Sequence, residues 1–527
     1  MDNLPGAKLT GVQWDPDRVC LPGTRKQLLD EIMAWVHDPE SERILWLSGG
    51  AGTGKSSVTN SVAQQLYLLG RLGASFRFSR DVTLPETPGH LFGNICRQLA
   101  LFDVQLRNSV LSAIGRGCGS AQSLRMQART MIVETAKDTE IVGPIVIVID
   151  ALDECGVDDV ETEPKRETLV RAIVEEFPAL PPSIKVLITS RDEGVISQLM
   201  PKCSSCSRKR IDDTLGTEED ISAFVQHRMG QIRDMFCLPE DWPGVAKERE
   251  LAANAGGLFI WASVACAFIQ NGDDPVVQLV ELLSSSDERV AAEEKLDRLF
   301  LDVVRLSLPS DKGVRANNWN YVVACIVASM IPLTYPAIDS LLGLSPQQVG
   351  TVTLIDGRQI KLTTSYRIIS SIRPILRIDL EIKGVVRLIH KSVFDFLTGR
   401  AEIPFRVDLP VQNNILAMRC LALMNQNLRY DICNIGDPSL MNSEVVGLRE
   451  RIPECIPEAL RYACRYFAAH LSGAPSPGLE LQNELDNFIG QKLLYWVEAM
   501  SLQDQLHGAE ECLQTLLDCF KVTHSIY

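Results

Sequence analysis

Gly49-Gly-Ala-Gly-Thr-Gly54-Lys55-Ser56 constrains this chain more than any other stretch. It matches Gly, four residues, Gly-Lys-Ser/Thr, and lies between the apolar run Ile44–Leu47 and a segment with Val58, Val62 and Leu66 at helical spacing. A strand, a glycine loop and a helix in that order can aim consecutive backbone N–H groups at one point. A phosphate group fits such a nest. The candidate nucleotide-binding residues are therefore Gly49, Gly50, Ala51, Gly52, Thr53, Gly54, Lys55, Ser56 and Ser57. Lys55 is expected to reach the β and γ oxygens, and the Ser56 hydroxyl to hold Mg²⁺.

The second half of such a site is a carboxylate at the end of a neighbouring buried strand. Ile145-Val-Ile-Val-Ile149 has the composition of such a strand and runs into Asp150, the candidate second metal residue. Asp153 and Glu154 follow within a turn, and one of them could polarise an attacking water. Val186-Leu-Ile-Thr-Ser-Arg191 repeats the design, with Thr189, Ser190 and Arg191 expected on the γ-phosphate side. A guanidinium there would sense or stabilise phosphate charge.

Four apolar runs, Ile44–Leu47, Ala74–Phe78, Ile145–Ile149 and Val186–Thr189, alternate with helical stretches. Continuous Val/Ile runs of this kind predict an α/β fold with a parallel sheet covered on both faces. Residues 1–41 read as a lead segment with one helix, and 42–205 as the P-loop NTPase core. Residues 206–308 read as a helical lid, opening on the acidic turn Glu218-Glu219-Asp220. Residues 309–400 combine helices with alternating runs on either side of Gly384, the pattern of a winged helix. Within them, 350–366 is β-branched with Asp356-Gly357 at its centre, and we expect an insertion looping out there, either a surface hairpin or a translated retained intron. Residues 401–527 read as a C-terminal helical region.

A chain of 527 residues with 46% apolar and 23% charged residues is an ordinary multidomain globular protein. Its 52 basic and 67 acidic side chains leave a net charge of −15, which opposes a main task of coating nucleic acid or anionic membrane. The longest apolar runs, Gly257–Ile269 and Tyr321–Ile331, fall short of the roughly 20 residues that span a bilayer. They read as buried helices. Fifteen scattered cysteines and a polar Met1–Trp14 predict a reducing, cytoplasmic location. Cys203-Ser-Ser-Cys206 has no second pair to complete a zinc site and reads as an exposed loop.

Taken together, Gly49–Ser56, Asp150-Ala-Leu-Asp-Glu154 and Thr189-Ser-Arg191 resemble a NACHT-type P-loop NTPase of the STAND class. The likeness is to fungal members whose ATPase region is similar to the N-terminal part of nephrocystin-3-like proteins. Cys20-Leu-Pro-Gly-Thr-Arg25, Phe76-Arg-Phe-Ser-Arg-Asp81, Gly257-Leu-Phe-Ile-Trp261, Leu388-Ile-His-Lys-Ser392 and Phe394-Asp-Phe-Leu397 add to it. The resemblance implies a signalling switch that binds ATP or ADP (GTP being the other base to test) with Mg²⁺. It implies ADP held between core, lid and winged helix, with ATP opening the protein to self-association. It also implies an unidentified protein effector or ligand, and a role in fungal non-self recognition or programmed cell death. His390 stands where relatives place a histidine on the β-phosphate.

Two departures matter. Many relatives carry a proline against the adenine where this chain has Phe259, so the base contact is expected to be aromatic or absent. Ala151 replaces the acidic residue that follows the metal carboxylate in fast P-loop ATPases, so hydrolysis is expected to be slow. Two other readings compete: a P-loop kinase or transferase, and a winged-helix nucleic-acid-binding protein whose sharpest basic cluster is Ser207-Arg-Lys-Arg210.

Overall fold

The computed structural model describes residues 14–78, 88–115, 123–137, 139, 143–155, 162–284, 290–308, 314–344, 350–353, 359–379, 384–437, 439–475 and 478–524. The chain divides into two units, Met1–Leu296 and Asp297–Tyr527.

In the first unit β1 (Ile44–Ser48), β2 (Leu72–Arg77), β3 (Ile145–Asp150), β4 (Ile184–Ser190) and β5 (Cys206–Arg210) form one parallel sheet, in the order β2-β3-β4-β1-β5. The α/β expectation holds. Side chains alternate across a strand, so β3 feeds two cores. Ile145, Ile147 and Ile149 pack with Phe76, Phe92 and Ile173 on one face. Val146 and Val148 pack with Leu45, Leu47 and Leu187 on the other, beneath α1 (Lys26–His37) and α2 (Lys55–Leu68), which supply Leu28, Ile32, Val58 and Val62. The first face is covered by α3 (Leu91–Phe102) and by the helix Thr162–Glu176.

The boundary expected at 205/206 is corrected by β5. Its residues pair with β1 from Ile44↔Cys206 to Ser48↔Arg210, so the sheet continues through Arg210. An edge strand has one neighbour and half-exposed side chains, and tolerates charges that an interior strand would not. The exposed-loop reading of Cys203-Ser-Ser-Cys206 is corrected too: Cys203 is buried and Cys206 is the first residue of β5.

Lys185, inside β4, is also buried. Its ammonium donates to the carbonyls of Trp35 (2.9 Å) and Asp38 (2.5 Å) and to Ser41. Those carbonyls lie at the C-terminal end of α1, where a cation meets unpaired acceptors and the negative end of the helix dipole.

Helices Thr217–Met235, Val245–Ala255, Phe259–Asn271 and Pro275–Ser284 follow β5 in the first unit. Gly216 caps the first of them in the left-handed region, and Glu218, Glu219 and Asp220 fill its first turn.

In the second unit the helices Val314–Ala328, Tyr335–Leu342 and Thr364–Ser371 accompany the antiparallel pair β8 (Leu376–Asp379) and β9 (Val385–Leu388), with a bridge from Thr334 to Val385. Before them β6 (Gly350–Thr353) pairs with β7 (Gln359–Leu362) as a separate antiparallel ladder. The expected hairpin is present, and its turn at Asp356-Gly357 lies outside the described residues. Its expected end at Tyr366 is too late. Thr363 caps the next helix by accepting from the Tyr366 N–H (3.2 Å), and the Ser365 N–H donates to Asp339 (3.0 Å). Buried Ser365 and the edge-on Tyr335–Tyr366 pair, with ring centroids 5.2 Å apart, make 363–366 part of the packed fold.

Further helices, chief among them Leu409–Asn427, Glu458–Ser472 and Leu506–His524, follow. A buried polar chain ties two of them together. The Met330 N–H donates to Tyr462 Oη (3.0 Å), Tyr462 lies 2.7 Å from His470 Nε2, and His470 Nδ1 lies 2.8 Å from Asn413 Oδ1. No helix among the described residues is long and apolar enough to cross a membrane.

Candidate nucleotide site

The loop Gly49–Gly54 joins β1 to α2, as its sequence predicts. Gly52 (φ 76°) and Gly54 (φ 92°) hold left-handed conformations that L side chains avoid. Gly52 has a second reason to be glycine, because a Cβ there would lie 2.0 Å from Cγ2 of Ile260. The Lys55 ammonium donates to the carbonyls of Gly49 (2.8 Å) and Gly50 (2.6 Å), and Thr53 Oγ1 donates to Gly50 O (3.0 Å). Burial pulls the Lys55 ammonium below the usual lysine range, opposed chiefly by the Asp153 carboxylate. Ser56 and Ser57 occupy the first turn of α2, so both lie at its N-terminus.

Three groups outside the loop grip its backbone. The Gly50 N–H donates to the Asp212 carboxylate (3.2 Å), and the Ile260 N–H donates to Gly52 O (3.1 Å). Arg25 donates from Nη2 to Thr53 O (3.0 Å) and from Nη1 to Thr217 Oγ1 (2.9 Å). Its own N–H donates to Asp220 (3.0 Å), and its guanidinium lies 4.9 Å from the centre of the Phe259 ring. Asp212, Thr217, Asp220, Phe259 and Ile260 all belong to the chain after β5. Phe259 therefore faces Arg25.

Asp150 is buried at the end of β3 and held from three sides. Its Oδ1 accepts from Thr59 of α2 (3.2 Å) and Thr189 of β4 (2.5 Å), and its Oδ2 lies 3.5 Å from Arg77 Nε of β2. Ala151, in the left-handed region at φ 57°, donates its N–H to Thr189 Oγ1 (3.0 Å). Asp153 accepts from the Arg191 N–H (3.0 Å) and lies 3.5 Å from Arg191 Nε, tying the exits of β3 and β4 together. Glu154 is half-buried in the turn Leu152–Glu154.

The expectation that Thr189 and Ser190 face a γ-phosphate is corrected. Thr189 turns to Asp150, and Ser190 Oγ accepts the Trp46 indole N–H (2.8 Å) within the sheet. Adjacent strand residues point to opposite faces, so the two cannot share one target. His390 lies in the second unit. Its Nδ1 accepts from the Ser392 N–H (3.1 Å) and caps the helix Lys391–Asp395, which leaves the proton of a neutral ring on Nε2.

Sequence reasoning missed Asp212, Thr59 and the direct contact of Arg77 with Asp150. The parallel register Arg77↔Asp150 carries that last signal. The basic cluster is neutralised locally: Arg208 pairs with Asp192, Lys209 with Glu31 and Arg210 with Asp212. A Ser56 hydroxyl and an Asp150 carboxylate are hard oxygen donors that suit Mg²⁺, an ion commonly held by one or two carboxylates together with substrate phosphates. The donor set fits the ion.

Comparison with known proteins agrees with this geometry. Residues 23–191 match the family described as nephrocystin 3, N-terminal. The vegetative incompatibility protein HET-E-1 of Podospora anserina is 24% identical over 542 residues, covering 95% of this chain. Residues 23–191 are thus similar to the nephrocystin-3 N-terminal family, and nearly the whole chain is similar to HET-E-1. The chain spans 37% of the length of HET-E-1. Among solved structures, a STAND protein with a tetratricopeptide repeat sensor from Pyrococcus horikoshii is 12% identical with a TM-score of 0.38, covering 99% of this chain and 66% of its own. The ORC2 protein of Aeropyrum pernix is 12% identical with a TM-score of 0.27, covering 76% of this chain and 96% of its own.

Proposed function

We propose that this chain is a nucleotide-dependent signalling switch that retains ADP in a closed form and self-associates on exchange for ATP. The observation that carries the reading is the grip on Gly50, Gly52 and Thr53 by Asp212, Ile260 and Arg25. A loop whose peptide groups are bonded to the lid cannot reshape around a phosphate without the lid registering it. Two states that differ in those bonds are what a ligand needs to shift a population.

In this reading the N–H groups of Gly52–Ser57 and the Lys55 ammonium bind phosphate oxygens, and Arg191 orients toward the terminal phosphate from its seat on Asp153. Of the two acids that could polarise water, Asp153 is engaged with Arg191, which favours Glu154. Mg²⁺, held by Ser56 and Asp150, would neutralise charge on the β and γ oxygens. The residue after Asp150 is Ala151, so turnover is slow, as befits a timer. For His390 we keep the role that the resemblance implies, contact with the β-phosphate. The helices and hairpin of 309–400 are proposed to form a winged helix, and the chain from Ile211 to 308 the lid. By analogy with a vegetative incompatibility protein, the output is a non-self or cell-death response to an effector or ligand yet to be identified. The compartment proposed is the cytoplasm.

The test is to denature the purified protein, identify the released nucleotide, and measure size in solution with ADP and with a slowly hydrolysed ATP analogue. About one ADP per chain, and a larger particle with the analogue, are expected. An empty site with no change in size, or steady turnover by the monomer above ~1 s⁻¹, would overturn the reading.

A further inference from the structure

We propose that Arg77 is the resident counter-charge of Asp150, so that this site retains a nucleoside diphosphate without a divalent cation. The proposal rests on the nucleotide reading above and adds what that reading leaves open, the ion requirement of the diphosphate form.

The parallel register sets Arg77 directly opposite Asp150, so both side chains leave the sheet on one face. Their separation is 3.5 Å between Nε and Oδ2, and the Asp150 side chain is only 6% exposed. Oδ1 is already occupied by the hydroxyls of Thr59 and Thr189. Oδ2 is therefore the oxygen open to a charged partner, and it is the one that Arg77 faces. A buried carboxylate is costly unless it is paired, and leaving one partner of such a pair alone is costlier still.

The consequence follows from charge. With Arg77 in place the pair is neutral, and a diphosphate entering the loop meets the Lys55 ammonium and backbone N–H groups without a bare anion beside them. Without Arg77, the Asp150 carboxylate stands unpaired next to incoming phosphate oxygens. A divalent cation must then supply the missing charge. Arg77 is a positioning residue here, acting on Asp150 and not on the nucleotide.

The experiment measures affinity for a fluorescent ADP by the full chain, in EDTA and in Mg²⁺. The wild type is expected to bind equally in both. Arg77→Gln is expected to bind about tenfold or more weakly in EDTA, the scale of an uncompensated buried charge, and to recover in Mg²⁺. Arg77→Lys, which keeps the charge, should behave as wild type. The double variant Arg77→Gln/Asp150→Asn, which removes both charges, should again hold ADP in EDTA, a rescue that a merely structural role would not produce. A wild type that releases ADP in EDTA overturns the proposal, and so does an Arg77→Gln protein that binds equally in both conditions. If no variant and no condition gives binding, the nucleotide reading itself fails.

Discussion

The backbone N–H of Ile260 donates to the carbonyl of Gly52 at 3.1 Å, joining the first turn of the helix Phe259–Asn271 to the middle of the loop Gly49–Gly54. The approach requires glycine, since a Cβ on residue 52 would collide with the Ile260 side chain at 2.0 Å. Gly52→Ala should therefore force the two apart, in addition to roughly 1 kcal/mol of left-handed strain. The expected result is faster amide exchange across Phe259–Asn271 and a loss of nucleotide affinity. Ile260→Ala in the same chain should restore part of both. A double variant no better than Gly52→Ala alone would show that the contact is not what holds the helix.

Lys55→Ala is expected to lower ADP and ATP affinity by about tenfold to a hundredfold, the scale of a hydrogen bond to a charged group. The sheet is built from other residues, so the far-ultraviolet circular dichroism should be unchanged. Binding equal to wild type in a titration with fluorescent nucleotide would remove Lys55 from the site.

A third expectation concerns pH. Burial holds His470 at a pKa of about 3, and its two nitrogens are occupied by Tyr462 and Asn413. An imidazole whose folded pKa is depressed is neutral when folded, while the unfolded chain takes up a proton near pH 6.5. Stability contributed this way is full above that value and falls as pH drops toward 3. Between pH 7 and pH 5 the loss is about 2 kcal/mol. Urea unfolding at the two pH values should show it, and His470→Gln should remove most of the difference. An identical difference in the variant would place the sensitivity elsewhere.

The hairpin β6–β7 gives a fourth. Deleting 350–362 should change stability by no more than about 1 kcal/mol, because a surface insertion costs little beyond loop entropy. Extending the deletion through Tyr366 should be far worse, since it removes the Thr363 cap, buried Ser365 and the Tyr335–Tyr366 contact. Thermal melts of the two deletions decide it, and equal melting temperatures would return 363–366 to the insertion.

What the sequence made legible was whatever depends on local pattern. The strands Ile44–Ser48, Ile145–Asp150 and Ile184–Ser190 are continuous apolar runs because both of their faces are covered. The loop between β1 and α2 was legible because its glycines answer to the backbone itself. Cys206–Arg210 was not, because an edge strand needs no apolar signature. Nor were the residues that grip the loop. Arg25 meets Asp220 across 195 positions and Gly50 meets Asp212 across 162, and no periodicity records a pairing at that range. The end of the insertion was misplaced for the same reason, since Ser365 is fixed by Asp339, a residue of another helix.

The order β2-β3-β4-β1-β5 leaves one long side of the sheet ending in Cys-Ser-Arg-Lys-Arg. A bare strand edge is a template on which another chain can grow. Here the template is spoiled by three consecutive cations, each already engaged with an acid of its own chain. To add a strand, a newcomer would have to crowd or break those pairs. For a protein whose proposed output is assembly on cue, that arrangement hinders uncued strand addition at the β5 edge.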